Sequence, residues 1–362
     1  MDTCTRPPRV SVIMSVRDGE AFVAAALQSI RTQTMPDFEC VVVDDGSRDR
    51  TPAILAAAAA QDARLRVVHA APPGGLVAAL NLGCAMARAP LLARMDADDV
   101  ALPQRLAQQL ERLAHDTRLV VLGGAALFVD AQDRLLPPDP TLTGPAALDA
   151  ALRRGDCPLI HPTVVMRRSA FEAVGGYRAC IAHAEDYDLW LRLAERGDLD
   201  NLREPVLRYR RHPHQVSIRH FREQALSNLA ARASARARRA GEPDPLAGCT
   251  QLDEAAYERL GLDAATRAAA LARATLTSIA SLTDAGEPDR AQALLHELQA
   301  SHRRQALPAP LLADLRLAQA RLHWRQGRTP QAVHAFAQAL IGRPRVAVRP
   351  LKPWLARRAH SS

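Results

Sequence analysis

The amino-acid sequence predicts an α/β protein in which a mostly parallel central sheet is followed by an all-α region. Three observations support this fold class. Strand and helix patterns alternate through the first half of the 362 residues, which requires the crossover connections of a parallel sheet. Acidic clusters follow two of the apolar strands, at the sheet edge where such folds bind ligands. After about residue 215 the sequence is rich in Ala and Leu and shows no strand pattern.

Five apolar segments of the first half have the length and composition of buried strands, and helical patterns separate them. The strands are predicted at 10–16, 39–45, 65–70, 90–96 and 119–130. Apolar stripes predict helices at 22–30 and 75–87. A third helix is predicted to start with Thr51 as its cap and Pro52 at its first position, and a fourth to start at Pro103.

Two more helices are predicted before residue 200. Ser169 and Glu172 have the spacing of a capping box, and a glycine pair ends that short segment. The segment 184–197 is the second helix, with Glu185 and Asp186 at its start. A favourable interaction of these two acids with the helix dipole is the structural interpretation of their position.

The C-terminal half contains two similar segments, 276–298 and 317–340, each with a helix, a glycine turn and a second helix that begins near a proline. The second segment is similar to a tetratricopeptide unit. Its glycine, Gly327, lies 41 residues after Gly286, whereas the usual repeat is about 34 residues. A repeat pair and a plain helical bundle therefore both fit. The predicted divisions are 1–217, an Arg- and Ala-rich helical linker at 218–250, a helical region at 251–342 and a basic tail at 343–362.

Composition limits the partners of the chain. The net charge is +8, and the arginines between 208 and 239 together with the tail account for the basic character. The arginines of the linker fit a solvated helix face, and no nucleic-acid-binding motif is present, so no nucleic acid is expected. The six cysteines are isolated thiols, which predicts neither a disulfide framework nor a cysteine metal site.

No apolar segment approaches the roughly 20 residues that cross a bilayer, and the N-terminus lacks the apolar core of a secretory signal. A cytoplasmic location is therefore expected. The basic tail contains Trp354. A peripheral contact with an anionic membrane surface is one interpretation of this tail, and a solvated terminus is the other.

The D-A-D-D sequence at 96–99 is the main chemical signal. Three carboxylates in four positions repel one another, and a divalent cation would offset that repulsion. Hard oxygen ligands favour Mg²⁺ or Mn²⁺. The alternative is a solvated acidic turn before the next helix.

The other polar candidates each have a structural alternative. Asp44 and Asp45 fit either an Asx turn or an acceptor for a base or ribose. Asp186, with Glu185 beside it, fits a general base as well as a dipole partner. His161 and His212 are each compatible with a structural role. The arginines beside His212 would suit a diphosphate; they are Arg208, Arg210 and Arg211. Dinucleotide and P-loop fingerprints are absent.

The motifs occur together in one order. They are "VSVIMSVRDGE", "SIRTQTMPDFECVVVDDGSRDRT", "GLVAALNLG", "ARMDADDV", "HPTVVMRRSAFEAVGGYR" and "AEDYDLWLRLAERG". With this set, residues 9–217 resemble the family 2 glycosyltransferases of GT-A fold, whose sheet is Rossmann-like. The resemblance implies inverting transfer of a sugar from a nucleotide-sugar donor to a glycan or lipid-linked acceptor, as in cell-surface glycan biosynthesis. It also implies a Mg²⁺ or Mn²⁺ cofactor.

The resemblance assigns roles to individual positions. Asp186 matches the catalytic base, with Glu185 as its catalytic neighbour. The expected metal ligands are Asp98, Asp96 and the late His212. The expected nucleotide-sugar-binding residues are Val16, Asp18, Asp44, Asp45, Arg94, Asp96, Asp99 and His161. The chain departs from the family where "MSVRDGE" replaces "MPVYNGE", so that Arg17 could alter contacts near the nucleotide.

Two other hypotheses remain open at this point. A metal-dependent nucleotidyltransferase also uses carboxylates on a parallel sheet, but it would release pyrophosphate and often carries a Gly-rich N-terminal signature that this chain lacks. A non-catalytic scaffold would use the C-terminal helices to bind a protein partner. Intact carboxylates at each motif position argue against such degeneration.

Overall fold

The computed structural model describes residues 7–211, 220–304 and 307–342. Within these ranges the chain forms two compact units. Residues 7–211 and 230–260 belong to the first unit, and residues 220–229 and 261–342 belong to the second. None of the helices in the described ranges has the length and apolarity that a bilayer crossing requires. The predicted membrane-contacting tail, 343–362, and the predicted ligand His212 lie outside the described residues.

The first unit contains one mixed sheet of eight strands in the order β3-β2-β1-β4-β7-β6-β8-β5. The strands are β1 (Val10–Val16), β2 (Phe38–Asp44), β3 (Leu65–His69), β4 (Leu91–Asp96), β5 (Val100–Ala101), β6 (Leu119–Val129), β7 (Val165–Arg167) and β8 (Asp198–Arg210). β1 pairs in parallel with β2 and β4, β2 with β3, and β6 with β8, whereas β7 and β5 are antiparallel to their neighbours. The predicted α/β class with a mostly parallel sheet is confirmed.

The helices of the first unit flank this sheet and connect its strands. They are α1 (Val23–Arg31), α2 (Thr51–Gln61), α3 (Gly75–Met86), α4 (Arg105–His115), α5 (Pro145–Arg154), α6 (Arg168–Ala173), α7 (Glu185–Leu193), the C-terminal half of α8 (Phe221–Arg239) and α9 (Glu254–Arg259). Residues 161–163 form a short 3₁₀ turn. Because these helices cover both the early and the late strands, the apolar side chains of β1 and β4 are buried.

The core of the first unit is built by the predicted apolar stripes. Val12 and Met14 of β1 pack with Leu27 and Ile30 of α1 in one cluster that also includes residues of α4. α3 approaches the sheet closely at Gly83, where an added Cβ would lie 2.7 Å from Cγ2 of Ile13. A side chain at that position would therefore push α3 away from β1.

Three sequence-based expectations about helix starts are wrong. Thr51 is the first residue of α2 rather than its cap, and its Oγ1 accepts a hydrogen bond from Gly19 N. Ser169 does not cap α6, because that helix begins at Arg168 and Glu172 instead accepts from the Arg168 side chain. Thr51 therefore has a tertiary hydrogen-bond partner in place of a capping contact, and Glu172 has an ion-pair partner in place of one. The helix expected from Pro103 begins at Arg105.

The arginines before residue 240 are not simply a solvated face. Arg238 donates to the Glu195 carboxylate and lies 3.2 Å from Asp244 Oδ2, and its side chain is 13% exposed. Arg178 also pairs with Asp244. Despite partial burial, hydrogen bonds from Ser234 and Arg178 lower the pKa of Asp244 to about 2. This ion-pair network fixes residues 234–244 to the first unit.

The second unit is entirely helical in its described part. It contains the N-terminal half of α8 and then α10 (Ala264–Asp284), α11 (Pro288–Arg304), α12 (Ala309–Arg325) and α13 (Thr329–Gly342). Gly286 and Gly327 turn the chain between the helices of each pair with φ angles of 80° and 74°. Leu276, Leu295 and Leu311 lie in its apolar cluster. The helix–glycine–helix order is as predicted, and the assignment to a repeat or a bundle stays a prediction.

Candidate functional site

The register of the first strands places two acidic segments at one edge of the sheet. β1 lies between β2 and β4, and all three run in parallel. Val16 at the end of β1 pairs with Asp44, and Ser15 pairs with Asp96. Asp44 and Asp96 thus lie on the two sides of β1. Their main chains are two strand spacings apart, a total of roughly 10 Å. This is the carboxyl edge at which open α/β sheets bind ligands.

The turn after β2, which we call the β2 turn (Asp44 and Asp45), is held mainly by main-chain donors, and Arg17 Nη1 lies 3.9 Å from Asp45 Oδ2. Asp44 Oδ1 accepts from Ser47 N at 3.0 Å, and Oδ2 lies 3.2 Å from Nδ1 of His69. Asp45 accepts from Gly74 N at 2.8 Å and from Gly75 N at 3.0 Å. Both carboxylates are buried. The β2 turn therefore fixes the start of α3 and the end of β3 relative to β2.

The loop after β1 is held against the loop after β2 by main-chain hydrogen bonds. Val16 O accepts from Asp45 N at 2.9 Å. Asp18 has a φ of 51°, its N donates to Ser47 Oγ, and its Oδ1 accepts from Arg48 N at 2.8 Å. Short polar residues tolerate this left-handed conformation best. The structure thus gives Val16 and Asp18 a role in shaping the rim of the β2 turn.

The D-A-D-D segment brings three carboxylates together after β4. One oxygen from each of Asp96, Asp98 and Asp99 can be chosen so that all lie within 4.8 Å of one another. Asp99 is 2% exposed; its Oδ1 accepts from Arg210 N at 2.8 Å, and its Oδ2 has no hydrogen-bond partner among the described residues. Burial, together with the charges of Asp96 and Asp98, raises the pKa of Asp99 well above its ordinary value.

Arg94 is a buried cation beside these carboxylates. Its side chain is 5% exposed, Nη1 forms an ion pair with Asp96 Oδ2, and Nε makes no hydrogen bond within the described part of the chain. Burial opposes the charge of Arg94, but the Asp96 carboxylate overrides it and raises the pKa of the guanidinium. Arg105 lies behind, where Nη2 donates to Arg94 O at 2.6 Å, and burial lowers its pKa to about 9.

The first turn of α7 brings two more acids to the same place. Glu185 is 6% exposed, and burial, reinforced by the charge of Asp186, raises its pKa to about 7. Burial also raises the pKa of Asp186, which interacts electrostatically with Arg94 and Asp96. Asp186 Oδ1 accepts from Tyr187 N at 2.7 Å, and Oδ2 lies 4.0 Å from Cys157 Sγ. One oxygen is therefore held by the main chain, and the residue as a whole is partly exposed.

We call these five acids the carboxylate cluster: Asp96, Asp98, Asp99, Glu185 and Asp186. Arg94 and Arg105 interact electrostatically with its buried members, and the guanidinium of Arg210 donates to Asp98 O. The negative groups outnumber these cations, and three of the five pKa values are raised. Either protons or a bound cation must balance such a cluster.

His161 is buried behind the cluster among aromatic side chains. It is 9% exposed, its Nε2 lies 2.8 Å from Tyr177 Oη, and its ring contacts Trp190 edge to face. Burial and the nearby charge of Arg94 lower the pKa of His161 well below its ordinary value. Its assignment to the nucleotide sugar stays a prediction, since its described contacts are with these aromatic side chains.

Arg210 and Arg211 do not lie as a diphosphate-binding pair would. The Arg210 guanidinium is buried and donates to Asp98 O, to Asp130 O and to Asp133 Oδ1. Arg211 lies over the Phe128 ring and pairs with Asp139. The expectation that both would face a diphosphate therefore does not fit their contacts. His69 was not singled out from the sequence as a neighbour of Asp44. Its position at the end of a third parallel strand could have indicated that it lies at this edge of the sheet.

The comparisons with known proteins agree on one family. The model for "Glycosyl transferase family 2" matches residues 11–175. EpsE of Bacillus subtilis (strain 168), whose name assigns it to the glycosyltransferases, is 32% identical over 211 residues, covering 56% of this chain and 73% of that protein. The O-antigen biosynthesis glycosyltransferase WbnJ of Escherichia coli is 30% identical over 208 residues, covering 56% of this chain and 80% of WbnJ.

Solved structures support the fold. The crystal structure of S. aureus TarS 1–349 in complex with UDP superposes with a TM-score of 0.54, at 16% identity and with 92% of each chain covered. At this identity the likeness is one of architecture. It extends over the sheet and the C-terminal helices alike.

Proposed function

Because the chain belongs to glycosyl transferase family 2, we propose that it moves a sugar from a nucleotide-diphosphate-sugar donor to a hydroxyl group of a glycan acceptor. The transfer inverts the anomeric carbon in a single displacement. The observation that carries this proposal is that the start of α7 lies near the end of β4: Arg94 and Asp96 both act electrostatically on Asp186, a candidate base, and Asp96 belongs to the aspartate triad (Asp96, Asp98 and Asp99). A base and a leaving-group site at this proximity suit such a displacement.

The aspartate triad fits a divalent cation. The donors are hard carboxylate oxygens within 4.8 Å of one another, as Mg²⁺ and Mn²⁺ prefer. A second observation supports the fit: Asp99 is 2% exposed and its Oδ2 has no described hydrogen-bond partner. Asp98 and Asp96 would hold the ion. When bound, a divalent cation supplies charge stabilisation for a departing nucleoside diphosphate.

Arg94 has two effects on this site through its own contacts. Its ion pair with Asp96 fixes that carboxylate, and its charge favours the ionised form of Asp186. Removing water from a site strengthens both interactions. Arg94 would therefore orient the triad and keep the base ready at neutral pH, without itself contacting the acceptor.

Asp186 would accept the proton of the attacking hydroxyl on Oδ2. Its Oδ1 is held by Tyr187 N, so the carboxylate cannot rotate without losing that hydrogen bond. The raised pKa of Asp186 makes it a stronger base than a solvated aspartate. The proton moves from the acceptor oxygen to Oδ2 as that oxygen bonds to the anomeric carbon and the nucleoside diphosphate departs.

The β2 turn would receive the nucleoside, with Asp44 at the position of the family's nucleoside-contacting carboxylate. The acceptor class follows from the relatives: WbnJ is named for O-antigen biosynthesis, and a cell-surface or lipid-linked glycan is the corresponding acceptor here. The identity of the sugar depends on pocket and loop geometry rather than on the fold.

The test is a screen of UDP- and GDP-sugars with and without Mn²⁺. We expect one donor class to raise the melting temperature in the presence of Mn²⁺ and to release its nucleoside diphosphate slowly by hydrolysis, because ligands that bind the native state stabilise it. Release of pyrophosphate from a nucleoside triphosphate would instead identify a nucleotidyltransferase. A chain that binds and hydrolyses none of these donors would contradict the proposal.

The Asp186→Asn variant separates binding from chemistry. Its amide oxygen can still accept from Tyr187 N, so we expect normal donor binding and a loss of transfer of about 10²- to 10⁴-fold, the usual contribution of a general base. Asp156→Asn is the matched control, since its side chain is exposed in the adjacent loop, and it should retain full transfer. Near-normal turnover by Asp186→Asn would remove Asp186 from the role of base.

A further inference from the structure

Arg210 is the last residue of β8 and one of the few buried arginines of the first unit. Its exposure is 4%. The guanidinium lies 4.7 Å from the centroid of the Phe22 ring and uses all three nitrogens. Nε donates to Asp98 O at 3.0 Å, Nη1 to Asp130 O at 3.1 Å, and Nη2 to Asp133 Oδ1 at 2.8 Å. Such a planar fork is specific to arginine.

The main chain of Arg210 adds a second link to the D-A-D-D segment, because its N donates to Asp99 Oδ1. The short ladder between β5 and β8 pairs Val100 with Arg208 and Ala101 with Leu207, and it begins only after the D-A-D-D segment. The two bonds from Arg210 therefore extend the attachment of β8 to Asp98 and Asp99. These are the residues of the triad that no strand pairing holds.

We propose that Arg210 is a positioning residue for the divalent-cation site. It fixes the main chain of Asp98 and the carboxylate of Asp99, so that the carboxylates of the triad are arranged before an ion binds. The inference rests on the proposed function, since it assumes that the triad binds a divalent cation. Groups that orient metal ligands without touching the metal typically contribute 10- to 100-fold in affinity.

The contact with Asp133 connects a second segment to this arrangement. Asp133 has a φ of 62° and lies in the turn after β6, where Asp130 Oδ1 accepts from Gln132 N and Arg134 N. Arg210 therefore joins the end of β6, the end of β8 and the aspartate triad. Replacing Asp133 removes the partner of Arg210 Nη2 but leaves the hydrogen bond from Nε to Asp98 O. It should therefore weaken ion binding less than replacing Arg210 does.

The experiment measures Mn²⁺ binding directly, by the electron paramagnetic resonance signal of free Mn²⁺ in titrations of the full chain without donor. We expect the dissociation constant to rise about 10- to 100-fold in Arg210→Met. The rise should be smaller in Arg210→Lys, which keeps a charge but not the fork, and in Asp133→Asn. The melting temperature without Mn²⁺ and the circular dichroism spectrum report on folding.

Arg134→Met is the matched control. It removes the same charge from the turn after β6 that Arg210 contacts, but its side chain is 76% exposed and binds Asp130 at 2.7 Å and Gln132 rather than the aspartate triad. Its Mn²⁺ affinity should equal that of the wild type. If Arg210→Met fails to fold, Arg210→Lys and Asp133→Asn give the test.

The outcomes distinguish the two proposals. Weaker Mn²⁺ binding by folded Arg210 variants, restored turnover at saturating Mn²⁺ and an unchanged control support the positioning role. An unchanged dissociation constant in folded Arg210→Lys and Asp133→Asn would overturn that role and leave the glycosyltransferase assignment intact. No Mn²⁺ binding by the wild type, in spite of donor turnover, would overturn the cation site and the role of Arg210 with it.

Discussion

The β2 turn and the carboxylate cluster lie at the same edge of the sheet, but their negative charges are satisfied differently. In the β2 turn the carboxylates accept from Ser47 N, Gly74 N and Gly75 N, with His69 at the rim. In the carboxylate cluster one buried oxygen of Asp99 has no described hydrogen-bond partner, and the pKa values of Glu185 and Asp186 are raised by burial.

The difference shows that the carboxylates of the β2 turn have their hydrogen-bond partners within the protein, whereas the carboxylate cluster has the properties of a ligand-binding site. A carboxylate with main-chain donors is a structural element, because its charge is already solvated by the protein. A group of buried carboxylates with too few cations is costly unless protons or a cation arrive. The comparison predicts that mutations in the β2 turn act on stability and on nucleoside binding without a metal dependence, whereas mutations in the carboxylate cluster act on ion binding and on pH dependence.

After that of Asp186→Asn, the largest expected effect on turnover is that of Asp98→Asn. The substitution keeps the shape of the side chain and removes one charge from the triad, so we expect Mn²⁺-dependent transfer to fall about 10²- to 10³-fold, as when one electrostatic stabiliser of a transition state is lost. The stabilisation of the protein by Mn²⁺, measured as a shift of melting temperature, should also disappear. Disappearance of the Mn²⁺-induced shift of melting temperature in Asp45→Asn as well would erase the distinction between the two clusters.

Glu185→Gln should have a pH-dependent effect on stability. The folded-state pKa of Glu185 is about 7, above its ordinary value of 4.5, so the native state binds the extra proton between these pH values and wild-type stability falls as pH rises through them. The glutamine variant does not pay this cost. It should be more stable than the wild type at pH 8, by about 3 kcal/mol, and similar to it at pH 4.

The measurement for Glu185→Gln is the free energy of unfolding in urea at pH 4 and pH 8, without divalent cations. Glu172→Gln is the control, because its side chain is 57% exposed, and its difference from the wild type should not change with pH. A variant less stable than the wild type at pH 8 would show that ionised Glu185 does not destabilise the native state.

Asp45→Ala should destabilise the protein without a pH or metal dependence near neutrality. Gly74 N and Gly75 N lose their acceptor at the start of α3, and the loss of a helix-terminal acceptor costs about 1 kcal/mol. The melting temperature should fall by roughly 2–4 °C for a protein of this size, equally with and without Mn²⁺. Asp37→Ala, at an exposed position before β2, should leave it unchanged.

The smallest expected effect is that of His69→Ala on nucleotide binding. The His69 side chain is 63% exposed and lies 3.2 Å from Asp44 Oδ2, and solvent screening limits what such a contact contributes. We expect the dissociation constant of the nucleoside diphosphate to rise about 2- to 5-fold by calorimetry. His115→Ala, on the exposed face of α4, is the control, and an unchanged affinity in His69→Ala would place the nucleoside elsewhere.

The early strands were predictable from the sequence because both of their faces are buried. Five of the seven residues in each of β1 and β2 are apolar, which is the pattern of a central parallel strand. β8 was missed because its sequence, "DLDNLREPVLRYR", alternates polar and apolar residues around a proline and a register shift. The short strands β5 and β7 have too few residues for any pattern, and α5 was missed as well.

The carboxylates of the site were predictable in identity but not in environment. The positions of Asp96 and Asp186 follow from their motifs, whereas the ion pair of Arg94 with Asp96 and the burial of Arg210 depend on contacts between distant segments. An arginine in a basic segment is usually solvated. Sequence periodicity cannot show that residues 98 and 210 are neighbours, since that contact is made by the pairing of β5 with β8.

The position of β1 between β2 and β4 has a consequence for how this enzyme could change specificity. The span between Asp44 and Asp96 is set by the ladders on the two sides of one strand, and main-chain pairing does not depend on which side chains a strand carries. Substitutions within the sheet would leave that span unaltered. A change of sugar specificity would therefore arise from substitutions in the segments that follow the carboxyl ends of the strands, while the strands keep the distance between Asp44 and Asp96 constant.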